Sequence, residues 1–572
     1  MIEDLLRRIY RNISGERAWG YMSEIYSRDR WSSFDGYRKS AEFCADMLWL
    51  FDTEESETVR FPADGETRFG DWMMPLSWEP LEAQLEIIAP TNERLIFKLK
   101  GNPNRLVMWS APTRPEGDEG KLIPLERGTP DELERMEVRG CVLFTPSNPA
   151  SIKPMAARMG ALGIVSDLLK AKGLHDAIQW VNTWSDSPGG WAMHKGDSRI
   201  WGIMLSPKEG EQLRRLARRY ELRARAIVSS KLYEGELAYA TGRIIGRESP
   251  DEEILLTAHI NEQGANDNAS GAAALIETAR VLNEMIRSGQ LPPPARSIRF
   301  LMMPESYGMM AFTVRNLERL RRSPAAINVD GGAGDYDSTD SNLTVYLDPL
   351  CCRSPVDGAV AWIARIFYDE IVRRPDKLKF HRYTLAGDNF LCEPLIGVPN
   401  PWFEMGDGGE YWHNSEDTPD KVDPRSLKDL ASLTAGAAYI LASFDRGEIE
   451  RLCGEGLKVL PEDLRSFLRM KVPPGEPGSG PRRLLVGALT LDGIPPDRWR
   501  VVKGSPRWWG PYLAAWWWAD GNRSLKLIEE MLRLEFGSAP EDLDEFFDFL
   551  GEMHLLQQPA ISPPPKATHN TV

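Results

Sequence analysis

The sequence predicts an α/β protein built on a mostly parallel, mixed sheet flanked by helices, with a small α/β domain inserted and a separate module at the C-terminus. Three observations carry that expectation. Between about 233 and 446, apolar runs alternate with helical patterns: EILLTAHI, SGAAALIETARVLNEMIRSG, SIRFLMM, MMAFTVRNLERLRR and AAINVD. The runs are nearly continuous in apolar residues, as strands covered on both faces are, and their βαβαβ rhythm implies parallel pairing. A smaller alternation of the same kind lies upstream, and a Pro/Gly-rich loop, VPPGEPGSGPRR, sets off the downstream part.

In chain order, residues 1–105 open with the helical patterns EDLLRRIYRNI and RKSAEFCADMLWLF. They continue into the strand-like ETVRFP and AQLEIIA as the first part of the main domain. Residues 106–232 form the expected insertion: VRGCVLF and ALGIVSD are buried strands with the helix PMAARMG between them, followed by the strand RIWGIMLS. The helix PKEGEQLRRLARRY ends in basic residues that suit its dipole. Residues 233–446 form the main α/β domain, 447–558 the C-terminal module, and 559–572 a tail expected to be disordered.

Composition narrows the function classes. A net charge of -15 argues against a phosphate-binding surface, so no nucleic-acid partner is expected. No apolar run is long enough for a membrane span, and MIEDLLRRIYRN lacks the pattern of a signal peptide. The six cysteines show no CxxC pairing. A cytoplasmic protein is the expectation. The nineteen tryptophans read chiefly as packing residues, with a ligand-stacking surface as the alternative. No HExxH, P-loop, Rossmann or EF-hand pattern occurs, so no nucleotide cofactor is indicated.

Ligands of open parallel sheets bind beyond the carboxyl ends of the strands. Here EILLTAHI ends at His259, SIRFLMM leads to Glu305, and AAINV ends at Asp330. Asp267 stands in GANDNASGAAA, ahead of a helix rich in small residues; it reads as an N-cap, as a carboxylate beside His259, or as both. His413 lies in the polar loop EYWHNSEDTPDKVD. Histidines with two or three carboxylates suit zinc in a hydrolase, and a further carboxylate then serves as base.

The blocks AHINEQGANDNASG, RFLMMPESYG, INVDGG and YWHNSEDTPDKVD, in this order and spacing, resemble the di-zinc aminopeptidase family that includes glutamate carboxypeptidase relatives. The resemblance implies a zinc-exopeptidase-like fold and cleavage of an N-terminal amide or peptide bond. It implies that His259 and Asp330 hold one metal, that Asp267 bridges to a second bound by His413, and that Glu305 is the general base. Residues 106–232 resemble the protease-associated insertion of many members. The C-terminal module, with AAWWWADGNRSLKLIEEMLRLEF and DLDEFFDFLGEMHLL, resembles the α+β winged-helix-like module of a cytoplasmic branch.

Two positions depart from the family. Asn261 stands where an Asp normally orients the metal-bound histidine, and Ser306 stands where a second Glu normally binds metal. One zinc is therefore dependable and a second depends on another carboxylate; Glu305 itself, Asp388 in LAGDNF and Glu410 are the candidates. Recognition of a substrate amino group falls to Glu404, Asp407 or Glu410, and an apolar pocket to Trp402, Phe403, Tyr411 and Trp412, with a solvated loop and simple burial as the alternatives. Asp335, Asp337 and Asp340 read as solvated residues. Two rivals stay open: a non-catalytic peptide-binding protein, and a serine hydrolase using Ser306, Asp388 and His413. Self-association is open as well, through the insertion or the tryptophan-rich module.

Overall fold

The computed structural model describes residues 2–90, 95–187, 190–337, 339–385, 387–406, 410–494 and 510–557. The expected tail at 559–572 and the candidate Asp407 lie outside the described residues. No helix among them is long and apolar enough to cross a membrane.

The main sheet has eight strands, in the order Glu54–Ala63, Gly235–Ile244, Arg296–Pro304, Ser249–Ile260, Ala325–Val329, Trp402–Met405, Leu343–Tyr346 and Leu378–His381. It is mixed. The Ser249–Ile260 strand pairs in parallel with both Arg296–Pro304 and Ala325–Val329, and the latter pairs in parallel with Trp402–Met405. The two outer strands on one side and the Leu343–Tyr346/Trp402–Met405 pair are antiparallel.

Both faces of this sheet are buried, which explains the continuous apolar runs. On one face Ile254, Leu256, Ala258, Ile298, Phe300 and Met302 join the core formed with Gly15–Asp29, Ala269–Arg287 and Pro424–Ser443. The residues of opposite parity, Leu255, Leu301 and Met303, join a second core with the helix Tyr307–Leu320. Alternation in polarity is lost because neither side meets water.

A second sheet of seven strands runs Ile96–Lys98, Ser77–Ala89, Leu222–Tyr233, Asp118–Pro124, Val142–Thr145, Gly163–Ser166 and Trp201–Met204. The expected boundary at 105/106 does not match it. Ser77–Ala89 and Ile96–Lys98 belong to this second sheet, whereas Glu54–Ala63 belongs to the main one. The reason is non-local: Ser77–Ala89 pairs antiparallel with Leu222–Tyr233, far along the chain, and no local pattern reveals that partner.

The C-terminal part contributes the helices Pro511–Trp518, Leu525–Phe536 and Leu543–Glu552 and a two-residue ladder, Arg482–Arg483 with Leu556–Gln557. Trp516, Trp517 and Trp518 are buried in the core shared with the second sheet. The indole N–H groups of Trp516 and Trp517 both donate to the carbonyl of Gly487 at 3.2 Å. Losing one such indole would destabilise the fold by about 3–5 kcal/mol. The Asp71 carboxylate accepts the main-chain N–H of Thr490 and Leu491, and buried Glu393 pairs with buried Arg483. Packing is thus the role of this tryptophan cluster.

Candidate metal centre

Register brings the strand ends together: His259 lies opposite Met303, and Ile260 opposite Pro304, so Glu305 follows directly beside the end of the His259 strand. Asp330 follows the last residue of Ala325–Val329 on the other side. His259 Nε2 stands 2.9 Å from Asp330 Oδ1 and 3.3 Å from Asp267 Oδ1. The other oxygen of Asp267, Oδ2, stands 3.3 Å from His413 Nε2. One carboxylate therefore spans two imidazoles.

Asp267 is free to do so because it is not the helix cap. The N-cap of Ala269–Arg287 is Asn268, whose side-chain oxygen accepts the N–H of Gly271 at 3.1 Å and whose Nδ2 donates to the carbonyl of Val329 at 2.9 Å. Gly271 permits this approach: a Cβ there would lie 2.6 Å from the Val329 carbonyl oxygen. The Asp267 loop is further held by Asp417, whose carboxylate accepts the N–H of Asn266 at 2.7 Å and of Asp267 at 3.1 Å.

His413 adopts a left-handed backbone, φ 56°, and its loop is tied to the second sheet's unit. Its carbonyl accepts the N–H of Trp180 and the side-chain amide of Gln179, each at 2.6 Å. Gln179 and Asn414 form an antiparallel bridge, and Ile178 and Ser415 exchange bonds beside it. The imidazole stacks on Trp412, centroids 4.0 Å apart, and meets the Trp180 ring at 4.5 Å.

A cleft of about 900 Å³ opens over these groups. The main sheet lines it with His259, Asp267, Glu305 and Asp330, and the second sheet's unit with Lys170 and Trp180. Trp402, Tyr411 and Trp412 also line it, as expected of an apolar pocket. Phe403 does not; it is buried in the core. Glu404 faces the cleft and accepts the Tyr346 hydroxyl at 2.9 Å, whereas Glu410 is exposed and absent from the lining. Asp335, Asp337 and Asp340 form ion pairs with Arg425, Arg374 and Lys377, apart from the metal-facing groups.

Negative charge is concentrated here. Burial, then the neighbouring Asp267 carboxylate, pushes Glu262 well above the usual range. Burial together with Asp330, Asp388 and Asp267 raises Glu305 to about 8, although His259 opposes the rise. Burial chiefly raises Asp388 to about 7 and raises Asp330 as well. Burial would depress His259, but Asp330 and Asp267 outweigh it and hold its pKa well above the ordinary value. Asp267 is held below the usual range despite burial, because both imidazoles bond to it. Crowded carboxylates raise one another, and a divalent cation relieves that repulsion.

The donor set fits such a cation. Ligand atoms about 2.0–2.2 Å from a tetrahedral zinc stand roughly 3.3–3.6 Å from one another. The two 3.3 Å separations around Asp267 fall at that value, and the 2.9 Å pair is slightly tighter.

Four findings bear on the sequence-based expectations. Asn261 does not orient His259: both atoms of its side-chain amide and His259 Nδ1 are buried without hydrogen-bond partners among the described residues. Its main-chain N–H instead donates to buried Asp29 at 2.8 Å. Asp388 has one oxygen engaged, since Oδ1 accepts the Ser306 N–H at 2.8 Å, while Oδ2 is buried without a hydrogen-bond partner among the described residues. That same bond, with His413 turned to Asp267, leaves no Ser306–Asp388–His413 relay among the described hydrogen bonds. Finally, sequence reasoning missed Glu262, which is buried with Oε2 3.8 Å from His413 Nε2. Its donor atom lies within 4.8 Å of those of His259 and Asp267. The available signal was its position three residues after His259, in the turn leaving the same strand.

Residues 241–438 match the sequence model of "Peptidase family M28". A curated relative, the aminopeptidase YwaD of Bacillus subtilis (strain 168), is 24% identical over 202 residues. The match covers 32% of this chain and 40% of that protein, so the chain spans less than half of the relative's length. Among solved structures, a peptidase M28 precursor from Shewanella amazonensis SB2B aligns with a TM-score of 0.57 at 16% identity, over 78% of this chain and 97% of that one. The zinc aminopeptidase BSAP from Bacillus subtilis aligns at 0.55 and 17% identity, over 77% and 97%. A chain from Clostridium acetobutylicum aligns at 0.53 and 16% identity over 98% of this chain and all of its own, so the shared fold extends through the C-terminal helices.

Proposed function

We propose, from the premise that residues 241–438 are a domain of peptidase family M28, that the protein is a metal-dependent aminopeptidase-like hydrolase cleaving an N-terminal amide or peptide bond. The observation that carries this reading is the Asp267 carboxylate, 3.3 Å from both His259 Nε2 and His413 Nε2, beneath an open cleft.

His259, Asp267 and Asp330 would hold a zinc, and His413 stands at the far oxygen of Asp267. Zinc held there supplies the Lewis acidity that brings the pKa of water to roughly 7. Glu305, beside the cleft and clear of the His259–Asp267–Asp330 contacts, takes the proton from the attacking water and returns it to the leaving amine. Glu404 anchors the free amino group of the substrate, and its bond from Tyr346 fixes the carboxylate on the cleft wall. Trp180, Trp402 and Trp412 form the apolar wall for the first side chain. A cytoplasmic location accords with the six cysteines, all of them unpaired.

The test is turnover by zinc-loaded protein on amino-acid arylamides and dipeptides, beside N-acetylated versions. Hydrolysis of the free-amine substrates alone, lost with chelator, is expected. Metal-replete protein that is inert across the panel would make this a peptide-binding module. Activity that resists chelation and yields to a serine-directed phosphonate would point to Ser306.

A further inference from the structure

A second cation beside Asp267 and His413 would find no carboxylate at position 306, because Ser306 offers only a neutral hydroxyl. We propose that Glu262 supplies that carboxylate, so that Asp267, His413 and Glu262 form a second metal position; the proposal rests on the metallohydrolase reading above.

Glu262 has the right place and no other occupation. It is 5% exposed, yet among the described residues no hydrogen-bond donor meets its carboxylate, and His413 is its one recorded ion-pair partner, at 3.8 Å. A buried carboxylate needs a counter-charge or hydrogen bonds, and here the chain provides almost none. Its oxygen, with His259 Nε2 and an Asp267 oxygen, falls inside a sphere that one ion could span. The 3.8 Å to His413 exceeds a tetrahedral ligand edge, roughly 3.3–3.6 Å, by a few tenths of an ångström, which a glutamate rotamer absorbs.

The other carboxylates are less well placed: none of them has a recorded approach to His413 or Asp267 like that of Glu262, although Asp388 Oδ2 is also buried without a hydrogen-bond partner among the described residues. Asp388 Oδ1 is used by the Ser306 N–H, Glu410 is exposed, and Glu305 would cease to be a base if it became a ligand. Glu262 leaves the His259 strand in the adjoining turn and reaches the position without rearrangement of the sheet. The carboxylate missing from the turn after one strand is thereby restored from the turn after its parallel neighbour.

Equilibrium dialysis of the full chain against zinc, with elemental analysis, tests this without reference to turnover. Two ions per chain are expected in the wild type and one in Glu262→Gln, the second ion being weakened more than ~100-fold, beyond what loss of an outer-shell partner causes. A wild type that takes one ion, or a folded Glu262→Gln that keeps two with unchanged affinity, would overturn the proposal. Should Glu262→Gln not fold, anomalous diffraction from zinc-loaded wild-type crystals decides: a second peak about 2.0–2.2 Å from a Glu262 oxygen supports it, and no such peak refutes it. Two ions bound by an inert protein would leave this proposal standing and remove the hydrolase reading. Turnover with one ion, indifferent to Glu262→Gln, would do the reverse.

Discussion

The carboxylate of Asp417 accepts the main-chain N–H of Asp267 at 3.1 Å, and that of Asn266 at 2.7 Å, so the loop after His413 clamps the loop of the bridging acid. These bonds of Asp417 go to main-chain N–H groups and not to the proposed ligand atoms, so its proposed role is positioning. Asp417→Ala should weaken zinc binding by about 10–100-fold, as loss of outer partners does. Asp417→Asn, which keeps one acceptor oxygen, should fall between. Zinc titration of both variants measures the effect, and affinities equal to wild type would contradict the clamp.

Glu305→Gln preserves shape and removes the proposed base. Turnover should drop about 10²–10⁴-fold while zinc content stays at the wild-type value. If zinc is lost along with turnover, Glu305 is a ligand and not the base.

Gly387 leaves room for the Glu305 carboxylate. Its φ is 91°, and a Cβ there would come within 2.3 Å of Glu305 Oε1. Gly387→Ala should therefore lower kcat by about ten-fold or more, since displacement of a catalytic group is felt steeply. Gly397→Ala provides the control: φ is also positive, at 77°, but the nearest atom to its Cβ is 3.8 Å away. Both substitutions should lower Tm through backbone strain, while only the first should change kcat. Equal kcat losses in the two would refute steric control of Glu305.

Metal-free protein should lose stability as pH rises. Glu305 is raised to about 8, and Asp388, Asp29 and Asp417 to about 7, burial leading in each case. Such groups bind more protons folded than unfolded. Their contribution is complete below the unfolded values, near pH 4, and is lost as pH climbs through about 7–8. His259, also raised, acts in the same sense. Asp267, held low, acts oppositely, its contribution being lost only in acid. Tm of the metal-free protein should thus decline between about pH 5 and 8, and the Tm gained from zinc should grow over the same interval, since its ligands bind deprotonated. Differential scanning fluorimetry across that range, with and without chelator, checks both; a flat metal-free profile would contradict the assigned shifts.

The strand ends were legible because a rule of the sheet, not a motif, puts His259, Glu305 and Asp330 on one edge, and apolar runs betray strands buried on two faces. Asp267 was legible as a carboxylate near a helix start, but its neighbour Asn268 turned out to be the cap. Glu262 was not legible, because a glutamate in a turn carries no periodic or spacing signal; only the 3.8 Å approach to a histidine 151 residues later makes it special. The extent of the second sheet was hidden for a like reason. AQLEIIA reads as a strand, yet its partner lies in Leu222–Tyr233, and pairing over such a separation leaves no trace in either segment. Trp180 escaped notice because its relation to His413 crosses between units.

That crossing shapes how the chain could be dissected or recombined. A fragment limited to residues 241–438 retains all the proposed donors, from His259 to His413, yet the carbonyl of His413 would face solvent in place of the N–H of Trp180 and the amide of Gln179. The imidazole would also lose the indole beside it. A graft of a foreign insertion would have to bring its own version of the 178–180 segment, or the histidine would wander. The second sheet thus belongs to the proposed site as much as the strands that carry the acids do, and the two could diverge in sequence only in step.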